Sequence, residues 1–163
     1  MNLSQKGLDW LKKVERLALT PYDDQTGKPI RRWVKGATIG YGHLISRDEW
    51  DKFKDGISEV TATTLLWSDL ARFIRVVRTV PQPLKQHEFD ACVIFAFNIG
   101  VEGFNGSTVR RMISNPEYRS STYRTLESAW KAWNKSQGRV SPGVVNRRAA
   151  EWDMYSRGLY RHW

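Results

Sequence analysis

The stretch from Lys85 to Asn98 constrains the fold more than any other. From Phe89 to Phe97 it is apolar at every position but Asp90, so the helix it predicts has no face to give to solvent. Such a helix must be enclosed by other elements, and the rest of the chain has the periodicity to supply them. Residues 4–15 place Leu8, Trp10, Leu11 and Val14 at helical spacing behind Ser4, a good N-cap. Residues 61–79 turn Leu65, Leu66, Leu70, Phe73, Ile74 and Val77 inward and stop before Pro81 and Pro83. Shorter helices are expected near 107–114 and 121–134, the latter with Leu126, Trp130 and Trp133 on one face. A last helix covers 144–157 and ends near Gly158.

One region breaks the pattern. Between 20 and 43 the chain carries Pro21, Gly27, Pro29, Gly36, Gly40 and Gly42, and Trp33-Val34 and Thr38 to Tyr41 read as short antiparallel strands. Ser46 and Glu49 form a capping box that should start a short helix, with Gly56 to end it. Asn98, Gly100, Gly103 and Gly106 mark a loop, as does Lys135 to Gly143. The expected class is α+β, mostly α-helical, with a small N-terminal antiparallel β-sheet.

At 163 residues and 40% hydrophobic the chain can bury one principal core, and a single domain over 1–163 is expected. The lone cysteine, Cys92, allows no internal disulfide; within its apolar run it reads as a small buried hydrophobe. No charged segment followed by an apolar one opens the chain, and no stretch has the length of a membrane span. Synthesis and retention in the cytoplasm are therefore expected. Lys and Arg outnumber Asp and Glu, 26 to 17, for a net charge of +9. This favours a polyanionic partner: nucleic acid, anionic membrane or bacterial wall. The charges are scattered and no nucleic-acid motif accompanies them. The eight tryptophans suit core packing and sugar binding alike.

Glu15 shares a helix face with Leu11 and Leu8. A carboxyl on that buried face would be costly to ionise, which suits a general acid. A buried Glu held by an Arg in a purely architectural pair fits the same position. Asp24 follows in a turn-rich segment. Glycoside hydrolysis needs two opposed groups about one sugar apart, and these two carboxylates could supply them, although Asp23-Asp24 before Gly27 also suits a plain turn.

Beyond this, the stretch from Glu15 to Asp24, continuing into Thr38-Ile39-Gly40-Tyr41-Gly42-His43-Leu44, resembles the phage-type lysozymes, the endolysins of glycoside hydrolase family 24. Two further blocks agree in order: Phe95-Ala96-Phe97-Asn98-Ile99-Gly100 with Gly103-Phe104 and Ser107-Thr108, and Pro142 to Glu151 with its Arg147-Arg148 pair. The resemblance covers nearly the whole chain. It implies a lysozyme-like fold with a cleft between sheet and helical body, and hydrolysis of the β-1,4 bond between N-acetylmuramic acid and N-acetylglucosamine in peptidoglycan. It makes Glu15 the general acid. Asp24 positions and activates the attacking water or stabilises the developing oxocarbenium charge, Thr38 holds that water from the opposite side, Arg147 orients Glu15, and Leu44, Phe97 and Ser107 line the sugar site. His43 is a structural residue of the sheet. Inversion is expected, because threonine is no carboxylate nucleophile. Neither metal nor cofactor is required.

One departure stands out. Family members carry the Thr much closer behind the Asp, whereas here Gln25 to Ala37 intervenes, with Lys28, Arg31, Arg32 and Lys35. The segment reads as a lengthened hairpin at the cleft mouth. Thr26 is the alternative water-holder; Thr38 is preferred for its Thr-Ile-Gly-Tyr-Gly-His context. A lytic transglycosylase would use one Glu without the Asp, and a bacteriocin killing domain could share the same unit. Arg147, Arg148, Arg157 and Arg161, mixed with Trp152, Tyr155, Tyr160 and Trp163, could touch anionic outer-membrane lipid or simply close the core. The expected product is a monomer acting on periplasmic peptidoglycan once a separate holin opens the membrane.

Overall fold

A computed structural model describes all residues, Met1–Trp163. The chain divides into two compact units: Leu11–Ala71, the sheet unit, and Met1–Trp10 with Arg72–Trp163, the helical unit. Helices α1 (Gln5–Glu15) and α3 (Glu59–Arg78) contribute residues to both. No helix is long and apolar enough to cross a membrane.

In the sheet unit, β1 (Ala18–Asp23), β2 (Ala37–Gly40) and β3 (His43–Leu44) form an antiparallel sheet with β2 in the centre. Tyr22 pairs with Thr38 and Asp23 with Ala37, while Thr38 also faces Leu44. The expected strand at Trp33-Val34 is not formed. There the Ala37 N–H donates back to the Val34 carbonyl at 3.0 Å, and the Trp33 indole N–H donates to the Ile45 carbonyl at 2.9 Å. The partner of β2 is β1 instead, which contains Pro21; at an edge a proline's missing N–H costs the ladder nothing. The capping box forms as expected: the Ser46 hydroxyl accepts from the Glu49 N–H and the Glu49 carboxylate from the Ser46 N–H. It starts a single 3-10 turn, Arg47–Glu49, that runs into α2 (Trp50–Phe53). Ala37, Ile39, Ile45 and Phe53 are the buried centre, covered by Ile30, Trp33, Trp50, Ile57 and Leu65.

In the helical unit, α4 (Gln86–Ile99) is the enclosed helix, buried without interruption from Phe89 to Ala96. Helices α5 (Val101–Gly106) and α8 (Pro142–Arg157) pack on it, and α7 (Leu126–Lys131) bridges α8 to α6 (Thr108–Ser114). Phe95 meets Trp130 with ring centroids 4.7 Å apart, and Trp130 in turn meets Tyr155 and Trp152. Helix α5 replaces an expected loop. Gly100, at φ 90°, ends α4, and burial of Phe104 draws the next turn back into the core despite Gly103 and Gly106. The helix expected over 121–134 shortens to α7, because the Thr125 hydroxyl caps at the Ser128 N–H, 3.1 Å away. The polar loop after it is a hairpin of β4 (Lys135–Ser136) and β5 (Arg139–Val140), turned by Gln137 and Gly138, both at positive φ.

Candidate active site

Glu15 closes α1, and Arg16, at φ 54°, ends the helix behind it. Glu15 is half-buried, more open than its place behind Leu8 and Leu11 suggested, because the helix stops there. The β2–β3 turn passes close by: a Cβ added to Gly42, whose φ is 87°, would stand 3.7 Å from Glu15 Oε2.

Asp24 is exposed and follows β1 directly. Its backbone N–H donates to the Gly36 carbonyl at 3.1 Å, which returns the chain to β2. The Thr38 hydroxyl donates to that same carbonyl at 2.9 Å. Thr38 is buried, and its Cα neighbours across the ladder are Tyr22 and Leu44; Leu44 is 61% exposed. Thr26 is exposed, and its hydroxyl accepts from the Lys28 N–H at 3.2 Å inside the turn. The turn role expected of either aspartate falls to Asp23, whose carboxylate accepts from the Gln25 N–H at 2.9 Å.

Sequence reasoning missed Tyr22. Burial raises its phenol pKa, and the charges of Glu15 and Asp24 raise it further, so the phenol lies in the field of both carboxylates. Its position two residues before Asp24 on a strand was the available signal, and β1 itself went unrecognised.

His43 is held by Asp69 at 2.9 Å and Glu49 at 3.2 Å and lies edge-on to Phe53. The hydrogen bond with Asp69 is the largest cause of its raised pKa. Burial opposes the rise, and both carboxylate charges add to it.

The remaining expected residues lie in the helical unit. Arg147 and Arg148 are buried with Glu151, which is 0% exposed. Arg147 Nε donates to Glu151 at 2.9 Å and Arg148 Nη1 at 2.6 Å, while the Trp130 indole N–H reaches the same carboxylate at 3.0 Å. Glu151 stands four and three residues after the two arginines, a spacing that could have announced it. Phe97 is half-buried against Phe73. Ser107 is the N-cap of α6: its hydroxyl accepts from the Arg110 N–H at 3.0 Å and donates to the Phe104 carbonyl at 2.7 Å. In the C-terminal segment Arg157 and Arg161 both pair with Asp153, the Tyr160 hydroxyl donates to buried Asp90, and Met154 is buried, as in a helix that closes a core. No cluster of His, Cys, Asp or Glu could hold a metal ion.

Residues 12–151 match the phage lysozyme family model. The chain is 33% identical to the endolysin of Bacillus phage PZA over 97% of its own length, and spans 56% of that relative. It thus covers little more than half the length of the curated Bacillus phage relatives it matches. The endolysin of a phage of Escherichia coli O157:H7, FAHEc1, superposes with a TM-score of 0.76 at 30% identity, covering 99% of this chain and 97% of the other. The muramidase domain of SpmX from Asticaccaulis excentricus gives a TM-score of 0.73 at 28% identity, with 95% and 97% covered. By its fold, its ordered motifs and these matches, the chain belongs to the phage lysozyme family.

Proposed function

We propose that the protein is an endolysin that hydrolyses the β-1,4 bond between N-acetylmuramic acid and N-acetylglucosamine in bacterial peptidoglycan. The names of its relatives support this reading. The observation that carries it is the Gly36 carbonyl shared by the Asp24 N–H and the Thr38 hydroxyl.

The chemistry follows from donor and acceptor capacity. Thr38 spends its one hydroxyl hydrogen on Gly36, so toward a water molecule it can only accept. The Asp24 carboxylate also only accepts. A water donating one hydrogen to each is left with a lone pair free to attack the anomeric carbon. As that bond forms, Asp24 takes the water's proton, and Glu15 gives its own to the departing glycosidic oxygen. One water is consumed and a reducing end appears, with inversion. Arg147 as the group that orients Glu15, and Leu44, Phe97 and Ser107 as sugar contacts, belong to the same proposal. So do action as a monomer and release from the host cytoplasm by a separate holin.

Purified sacculi digested with wild type and Glu15→Gln test the reading. Wild type should release muropeptides with borohydride-reducible ends, and the variant should be slower by about 10²–10⁴-fold or more. A 1,6-anhydro product, or a variant of near-normal rate, would refute it.

A further inference from the structure

The segment that separates Asp24 from Gly36 is a built element. The Asp23 N–H donates to the Lys28 carbonyl at 2.9 Å and the Gly27 N–H to the Asp23 carbonyl at 2.7 Å, closing a tight turn. The Ile30 N–H then donates to the Pro21 carbonyl at 3.2 Å, and Pro29 bridges to Tyr22. Ile30 and Trp33 pack against the buried centre of the sheet unit, and the Trp33 indole is tied to Ile45.

On this anchored frame stand Lys28, Arg31, Arg32 and Lys35, all exposed, and Arg47 stacks 4.6 Å over the Trp33 ring. None of the five has a carboxylate within ion-pair distance, as is common for the exposed cations of this chain; what sets the four on the segment apart is that they stand within eight residues of one another on one anchored turn that starts and ends at Asp24 and Gly36. The acids flanking the segment are Asp23, engaged with the Gln25 N–H, and Asp24 itself, while Asp48 and Glu49 stand beside Arg47. Like charges held together repel, and an anionic ligand relieves that repulsion. Adjacent guanidinium forks also suit planar carboxylates.

We propose that Lys28, Arg31, Arg32 and Lys35 form a subsite for the carboxylate-bearing peptide side chains of the glycan strand. The subsite adjoins Asp24 through the Asp24–Gly36 hydrogen bond. The proposal rests on the muramidase reading, because an uncharged glycan would gain nothing from these cations.

The test is binding to insoluble sacculi by pelleting at low ionic strength, in a Glu15→Gln background so that the wall stays intact. Lys28, Arg31, Arg32 and Lys35 are changed together to Gln, and a control variant carries the same change at exposed Lys6, Arg75, Arg124 and Arg139. Each is measured on native sacculi and on sacculi whose free carboxyls have been converted to methylamides. The loop variant should bind native sacculi about tenfold more weakly. The control should lose much less, and on amidated sacculi the loop variant should equal its parent. No loss on native sacculi, an equal loss in the control, or a loss that persists after amidation would each overturn the subsite. Soluble muropeptides released in the Glu15→Gln background would instead overturn Glu15 as the proton donor, while the pelleting comparison of loop and control variants at 4 °C, before release sets in, still decides the subsite by the same three outcomes.

Discussion

Asp24 and Thr38 are hydrogen-bonded to one acceptor, the Gly36 carbonyl, at 3.1 and 2.9 Å. The eleven residues from Gln25 to Lys35 therefore leave the sheet beside this carbonyl and return to it. They lengthen the chain between Asp24 and Thr38, yet the backbone N–H of the one and the hydroxyl of the other stay on a single acceptor.

The shared acceptor distinguishes the two threonines. Thr38→Val keeps the shape and removes the hydroxyl, and kcat should fall about 10²-fold through a misplaced water, with the melting temperature lower by only about 1–6 °C for the one buried hydrogen bond lost. Thr26→Val should be close to wild type, since only a turn hydrogen bond is lost. Reversed effects in a turbidity assay on outer-membrane-stripped cells would make Thr26 the water-holder.

The two aspartates separate in the same way. Asp24→Asn removes the proposed proton acceptor and should lower kcat by about 10²–10⁴-fold. Asp23→Asn keeps an oxygen for the Gln25 N–H, so its activity should remain within about twofold of wild type, the change expected when a neutral turn hydrogen bond is retained. Initial rates on purified murein compare them directly.

Gly36 has a φ of 101°, and a Cβ there would run into the Asp24 carboxylate. Gly36→Ala should cost about 1–2 kcal/mol for the backbone alone. At about 2–4 °C per kcal/mol it should be visible in a thermal melt. It should also lower kcat, because the displaced group is the proposed base. Normal activity would mean that Asp24 need not sit where it does.

Glu151 serves two buried guanidinium groups and an indole N–H. Glu151→Ala takes this carboxylate from both arginines and should destabilise the fold by about 3–5 kcal/mol, read from the urea midpoint. A loss under about 1 kcal/mol would show that water replaces it readily.

His43 makes stability depend on pH. Its folded pKa lies above the ordinary 6.5, chiefly through Asp69, so its contribution is complete below 6.5 and fades as pH rises through the raised value. Glu49 is shifted the other way: burial works against its charge, but the Ser46 N–H and His43 outweigh it. Its contribution is present above the ordinary 4.5 and is lost as pH falls through the lowered value. The penalty of His43→Gln, measured by melting at a series of pH values, should be largest between about 4.5 and 6.5 and should shrink on either side. A penalty flat from pH 4 to 9 would show that the charge on His43 contributes nothing.

By itself the amino-acid sequence determined what depends on neighbours along the chain. The Ser4 cap, the Ser46–Glu49 box, the stop before Pro81 and the left-handed Gly158 after α8 are all written within a few residues. The all-round apolarity of α4 determined that it would be enclosed. Glu15, Asp24 and Thr38 could be named from their motif, and Cys92 from its apolar run. Only the tertiary structure decided that β1 would pair with β2 across the insertion, that Phe104 would fold a glycine-rich stretch into α5, and that Tyr22 would stand in the field of two carboxylates. Each of these depends on hydrogen bonds, burial or charges that meet only once the chain has folded. Such contacts leave no periodic mark on the chain, because their free energy exists only once both partners have been brought together.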